Sequence, residues 1–175
     1  WVRSGGRLIL MASALDKFVD QKGYGLKKFA NDDEKKSSEK KKKERDLSER
    51  LRSYKDRQRS GLSQNAYGSI VKVKMDNSHP LAFGYDDSYF SLKLRNRRYA
   101  YLPKGWNVGT LQDSTAIVSG FVGYKAKENF RESMVFGVEE IGRGEIVYLS
   151  DNMLFRAFWY NGKLLFGNAV FIVGN

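Results

Sequence analysis

The stretch Val2-Arg3-Ser4-Gly5-Gly6-Arg7-Leu8-Ile9-Leu10-Met11 decides how the rest of the chain is read. A Gly-Gly pair set just before a short β-prone run ends a helix in the left-handed conformation and turns the backbone into a strand, because glycine reaches positive φ without a Cβ penalty. Trp1, Val2 and Arg3 therefore read as the tail of a helix, and Leu8 to Met11 as a buried strand. The passage has no initiator Met, no charged-then-apolar export signal and no run of membrane-spanning length. The expectation is a C-terminal piece of a larger protein, entered in mid-fold.

Beyond this strand the composition shifts. From Lys27 to Arg59 there are 14 Lys/Arg and eight Asp/Glu, which is more than half of the excess behind the formal net charge of +11. The tract Asn31 to Ser60 contains Lys40-Lys41-Lys42-Lys43 and few apolar residues besides Leu47, Leu51 and Tyr54. Those three stand at i, i+4 and i+7, so one helix from Glu44 onward is expected, with a single thin apolar stripe and Arg45 and Glu49 in register as an i, i+4 pair. The tract reads as a solvated, mobile insertion of residues 31–60 in a single domain, since it has little apolar surface to offset the cost of ordering its backbone, about 1 to 2 kcal/mol per residue. Incidental polyanion binding through Lys40, Lys41, Lys42 and Lys43 is the competing use, although no aromatic residues are interleaved there to stack on bases.

After the tract the texture is strands and turns. Ser69 to Met75 alternates, with Val71, Val73 and Met75 on one side and Lys72 and Lys74 on the other, and Tyr89 to Leu94 is expected to repeat the pattern through Phe90, Leu92 and Leu94. Met134 to Ile141 and Glu145 to Ser150 flank Gly142-Arg143-Gly144, which predicts a β-hairpin in the C-terminal half. Lys163 to Val173 is apolar around most of its circumference and about three helical turns long, which favours a buried helix. With 175 residues, 41% hydrophobic and 14% aromatic, the chain can bury one real core. It contains no Cys, so a thiolate nucleophile, a thiolate metal site and a disulfide framework are all excluded.

Four blocks in order carry a more specific signal. Asp76-Asn77-Ser78-His79-Pro80-Leu81-Ala82-Phe83-Gly84-Tyr85, Val118-Ser119-Gly120-Phe121-Val122-Gly123-Tyr124-Lys125-Ala126, Gly142-Arg143-Gly144-Glu145-Ile146-Val147-Tyr148-Leu149 and the close from Asp151 through Trp159 to Phe171 resemble the C-terminal region of a bacterial zinc carboxypeptidase family. In that family a carboxypeptidase A-like catalytic domain is followed by a domain similar to class I glutamine amidotransferases, and the proteins are typically exported, to the periplasm or the medium. The resemblance implies an α/β fold, a flavodoxin-like sheet with helices of which this chain holds the later half. It also implies that the partners of this piece are the parent's own catalytic domain and the missing first half of the sheet. With that half removed, the raw edge along Leu8 to Met11 is expected to make the piece self-associate, unless the Leu8 strand pairs with Ser69 to Met75 or with the hairpin.

The opening passage is similar to the one that leads to the nucleophile turn of active amidotransferases, but here Met11-Ala12-Ser13-Ala14 follows the strand. Without a Cys the thioester route is closed. The resemblance therefore implies an accessory domain with no catalytic residue and no cofactor of its own, the zinc belonging to the parent's upstream domain. A serine hydrolase using Ser13 and His79, with Asp76 or Asp151 to orient the imidazole, is the weaker alternative: no Gly-x-Ser-x-Gly elbow is present, and His79-Pro80 reads first as a turn whose ring bonds to nearby backbone. A candidate docking face is Trp106, Gly120, Gly123 and the cluster Phe155, Arg156, Phe158 and Trp159, because Trp and Arg dominate interface hot spots. The same cluster also reads as one helical turn packed on the sheet through Phe155, Phe158 and Trp159.

A peptidase zinc site needs about three ligands drawn from His, Cys and carboxylates, commonly two His and a Glu. This chain has one His. The purified chain is expected neither to retain zinc through dialysis nor to cleave peptides. Stoichiometric metal by elemental analysis, or a chelator-sensitive carboxypeptidase activity that survives repurification, refutes this.

Overall fold

The computed structural model describes residues 1–29, 39–113, 116–128 and 130–174. Its centre is a mixed seven-stranded sheet made of β1 (Arg7–Met11), β2 (Ser69–Met75), β3 (Ser88–Lys93), β4 (Trp106–Leu111), β5 (Ile117–Ser119), β6 (Ser133–Ile141) and β7 (Gly144–Leu149). The order is β1-β7-β6-β4-β2-β3, and β5 pairs with β2. β1 runs parallel to β7, and every other pairing among the described strands is antiparallel. The chain is thus an α/β protein with a mixed sheet and few helices.

The opening passage folds as its glycines dictate. Val2–Ser4 form a short 3-10 turn closed by Gly5 in the left-handed region at φ 117°, and β1 follows. The hairpin is also present: β6 and β7 pair from Phe136↔Leu149 to Ile141↔Gly144 around Gly142, whose φ of 69° suits the tight turn. Of the two closures open to the Leu8 strand, the one found is with the hairpin, in the register Arg7↔Glu145 to Met11↔Leu149. β1 is nonetheless an end of the described sheet, with one side paired.

Alternation along the parallel pair gives each face its own core. Ile9, Val147 and Leu149 join Val71, Val73, Val108, Phe136 and Val138 on one face, which is covered by Leu165 and Ala169 of the C-terminal helix. Leu10, Ile146 and Tyr148 turn to the other face, where Leu15, Leu26 and Tyr99 cover them. The segment bearing Leu15 and Leu26 is fixed by a buried carboxylate: Glu139 accepts from Gly25 N at 2.8 and 2.9 Å and from the Tyr148 hydroxyl at 2.7 Å.

Among the described residues four α-helices accompany the sheet: α1 (Glu39–Arg50), α2 (Tyr54–Ser63), α3 (Tyr124–Glu128) and α4 (Asn161–Phe171). The single helix expected from Glu44 onward is two. Ser53 stops the run by accepting from Asp56 N at 3.2 Å as the N-cap of α2, and Leu47, Leu51 and Tyr54 are all exposed, so their stripe buries nothing. Residues 31–38 of the tract lie outside the described residues, and of the lysine run Lys43 alone has a described side chain, which is exposed. The C-terminal apolar run is the helix α4; Asn168 Nδ2 donates to Leu81 O at 3.0 Å and Phe83 O at 2.7 Å, tying the helix to the loop after β2. No helix of the described residues is long and apolar enough to cross a membrane.

β2 follows its expected pattern, with Val71, Val73 and Met75 buried and both lysines exposed. β3 does not. The expected inward set Phe90, Leu92 and Leu94 is reversed: Tyr89, Ser91 and Lys93 are buried, and Phe90 is 43% exposed. The cause is Asp151, just after β7. Its Oδ2 accepts from Ser91 Oγ at 2.7 Å and pairs with Lys93 Nζ at 2.8 Å, with both charged side chains at most 4% exposed. A one-residue difference in pairing phase moves every side chain of a strand to the other face, so two polar bonds set the orientation of all six residues.

Breaking a buried pair strands a charge and typically costs 3 to 5 kcal/mol, whereas replacing both partners with apolar groups is often neutral or better. Asp151→Leu should lower the unfolding free energy by about 3 kcal/mol in urea titration, and Lys93→Met with Asp151→Leu should recover most of it. A single variant as stable as the parent chain contradicts this role for the pair.

Candidate functional site

Because β1 and β7 are parallel and in register to Met11↔Leu149, the chain leaves both strands side by side. Ala12 and Ser13 emerge next to Ser150, Asp151 and Asn152. β3 lies four antiparallel steps from β7 and so runs in the same direction, which brings Leu94, Arg95 and Arg97 to this end as well. Together they line a hollow of about 190 Å³ at the carboxyl ends of the three strands.

Its walls are charged and strained. Ala12 has a φ of 52°, in the left-handed region that a non-glycine residue avoids. Arg97 grips Asp16 along one edge of its guanidinium, Nε donating to Oδ1 at 3.0 Å and Nη2 to Oδ2 at 2.9 Å, and the Tyr99 hydroxyl adds a bond at 3.3 Å. The Arg97 bond holds the Asp16 carboxyl below its usual range against a smaller opposing effect of burial, and burial pushes the Tyr99 phenol up. Asp151, paired with the buried Lys93, also lines the hollow. Ser150 is 1% exposed, and its hydroxyl is buried with no hydrogen-bond partner.

Ser13 and His79 are not brought together. Ser13 follows β1, while His79 follows β2, which runs opposite to β7, so the two lie at opposite ends of the sheet and line separate hollows. His79 takes the structural role: Nδ1 accepts from Leu81 N at 3.0 Å, the ring centroid is 5.5 Å from that of Trp106, and burial holds its pKa below the usual value of 6.5 against an opposing pull from Asp76. Asp76 turns to Ser78 instead, accepting from its N at 3.1 Å and its Oγ at 2.6 Å.

The candidate docking face is also divided. Trp106, 41% exposed, shares the His79 hollow at the amino end of β7, whereas Phe155 to Trp159 follow the carboxyl end of that strand. The expected helical turn exists as a 3-10 turn at Phe155–Ala157, but Arg156 bends out of helical geometry at φ 50° and Phe158 is 54% exposed, so the turn does not pack all three rings on the sheet. Phe155 and Phe158 meet edge to face at 5.8 Å, and the Arg156 guanidinium lies 5.3 Å from the Phe155 ring. Gly120 and Gly123 serve the fold: a Cβ at either would fall 2.6 Å from Gly68 O or 2.2 Å from Ser63 O, so both allow one loop to lie against another.

Sequence reasoning missed Arg95, Arg97 and Ser150. The usable signal was the alternation Tyr89-x-Ser91-x-Lys93, which places a lysine on an inward face and demands a buried anion. Among the described residues no three His, Cys, Asp or Glu side chains are grouped so as to hold a metal ion. A scan against protein-family models finds no match, and neither the curated proteins nor the solved structures contain one.

The His79 cap works with a neutral ring. Its folded pKa is lower than the unfolded one, so the unfolded chain takes up the proton first, and stability falls as the pH drops below 6.5 and levels off once the folded ring also protonates. Urea titrations between pH 7 and 5 should show this loss. His79→Asn, which keeps an acceptor for Leu81 N, should flatten it; an unchanged pH slope in the variant counts against the assignment.

Proposed function

We propose that this chain is a non-catalytic accessory domain of an exported zinc carboxypeptidase, built on the later half of a flavodoxin-like sheet of the class I glutamine amidotransferase type. The observation that carries the silent part of this reading is Ala12. It sits in the left-handed conformation directly after β1, the kind of strained turn on which an enzyme displays a nucleophile, and it offers only a methyl group. The parallel β1–β7 pair with helix α4 over one face supports the flavodoxin-like half, and the four sequence blocks support the parent. In that parent, removal of C-terminal residues from peptides belongs to an upstream zinc domain. The one-sided edge of β1 is where the earlier strands of this sheet would add.

A second reading, a basic polyanion-binding module, draws on the net charge of +11 and on the exposed Lys72 and Lys74 of β2, outside the tract. Deleting residues 31–60 separates the two. Under the accessory reading heparin binding disappears and the cooperative unfolding transition stays; binding that survives belongs to a folded basic groove and favours the second reading. The parent is tested by sequencing the reading frame upstream of Trp1. A His-x-x-Glu pair with a later His is expected there, and a frame without them overturns the carboxypeptidase assignment.

A further inference from the structure

We infer that the outer face of α4 is a docking surface that lays the protein on an anionic lipid bilayer. The inference goes beyond the accessory role and does not depend on which enzyme the domain accompanies. α4 is apolar around most of its circumference, yet the sheet covers one side of it, through Leu165 and Ala169. A helix with apolar residues all round is ordinarily buried all round. This one is not.

Tyr160 already has helical backbone angles, so Tyr160, Leu164 and Phe171 stand at i, i+4 and i+11 on the side away from the sheet. They are 74%, 44% and 74% exposed. Phe83, 63% exposed, lies beside them: its carbonyl accepts from Asn168 Nδ2 at 2.7 Å, and a Cβ on the next residue, Gly84, would fall 3.0 Å from Leu164 Cδ2. Single apolar side chains on a surface are ordinary, whereas four large ones gathered along one helix mark a site of interaction.

Charge selects what covers the face. From Leu154 to Asn175 the sequence holds two cations, Arg156 and Lys163, and no acid. Glu145, beside Gly174 past the end of the helix, faces Arg7 at 4.0 Å and so adds no net negative charge there. A second copy of the chain would bring its own Lys163 and a formal charge of +11 against the same charge, with no carboxylate on the helix to match either. An anionic bilayer supplies both complements, acyl chains for Leu164 and the rings, and headgroup phosphates for the cations. Lys163 is placed for this, its Nζ 3.7 Å from the centroid of the Tyr160 ring, so that an ammonium and a phenol share one flank of the stripe at headgroup level. Since no helix of the described residues can cross a membrane, the protein lies on the bilayer surface.

The chain has no Cys, so a single one can carry a label. The test uses the full 175-residue chain with Leu164→Cys bearing an environment-sensitive nitrobenzoxadiazole dye, and vesicles of either equal parts phosphatidylglycerol and phosphatidylcholine or phosphatidylcholine alone. The dye should brighten and shift to the blue with the mixed vesicles and stay unchanged with the neutral ones. Placed instead at Glu49→Cys, on the exposed surface of α1, it should stay water-like in both. In co-sedimentation Phe83→Ser and Phe171→Ser, both at exposed positions, should each weaken binding to the mixed vesicles about tenfold, the order expected from leaving one Phe side chain out of the apolar phase. Absent sedimentation, a dye at position 164 that stays water-like while the chain pellets, or binding undiminished in both Ser variants, as the Lys40 to Lys43 run alone would give, overturns the site. Equal binding to the neutral vesicles overturns the anionic class. Dye brightening without vesicles, lost with Phe171→Ser and accompanied by a dimer in sedimentation velocity, assigns the face to a second copy and overturns the lipid partner.

Discussion

The interaction on which the rest depends is the pair of Lys93 and Asp151, with Ser91 beside it. In the order of the sheet β3 is the last strand and β7 the second, with three strands between them. A seryl hydroxyl is short, yet Ser91 reaches Asp151 at 2.7 Å. The sheet therefore curls until its far strand faces the end of β7, and the ring of Tyr89 meets that of Phe136 edge to face at 5.1 Å inside the curve. Apolar burial makes such a curl favourable without saying where it stops. An ion pair stops it at one place, because a carboxylate and an ammonium withdrawn from water are tolerable only in good geometry.

A second buried carboxylate does the same on the other face. Glu139 lies in a strand that is otherwise buried almost throughout, and it binds Gly25 N and the Tyr148 hydroxyl. That connection holds the loop carrying Leu15 and Leu26 over the parallel pair. Together the two acids explain how a sheet with so few helices has both faces covered. One face is closed by its own curl and α4, and the other by a largely irregular segment held by Glu139 at Gly25, by Arg97 at Asp16 and by backbone bonds to Arg98 and Ala100.

These same acids mark the limit of what the sequence reveals. β2 and the hairpin were legible because their inward residues are apolar and their turns glycine-rich, so pattern and environment agree. β3 was misread because its inward positions hold Ser91 and Lys93, whose burial makes sense only once Asp151, some sixty residues later, is in place. The break before Ser53 was missed because a cap competes with a thin apolar stripe, and a stripe that packs on nothing loses. The hollow was invisible for a related reason: Ala12, Arg95 and Ser150 come from three distant segments, and only the parallel pairing of β1 with β7 makes them neighbours.

The distribution of backbone strain around that pair is uneven. At its amino end the turns use glycine where φ is positive, Gly5 before β1 and Gly142 before β7. At its carboxyl end the positive-φ residues are Ala12, Arg156 and Ala157, each of which has a Cβ and costs on the order of 1 to 2 kcal/mol in that conformation. Glycine would relieve this strain in the first set of turns or the second equally well. Strain of this kind persists where the surroundings over-determine the backbone, and it gathers at sites rather than at random. Here the buried Lys93–Asp151 pair supplies the constraint: Asp151 cannot move without stranding a buried ammonium, so the chain must leave β7 on a fixed course, and Ala12 must turn beside it. A rigid carboxyl end follows, with Ser150 and Asp151 both held buried beside Ala12.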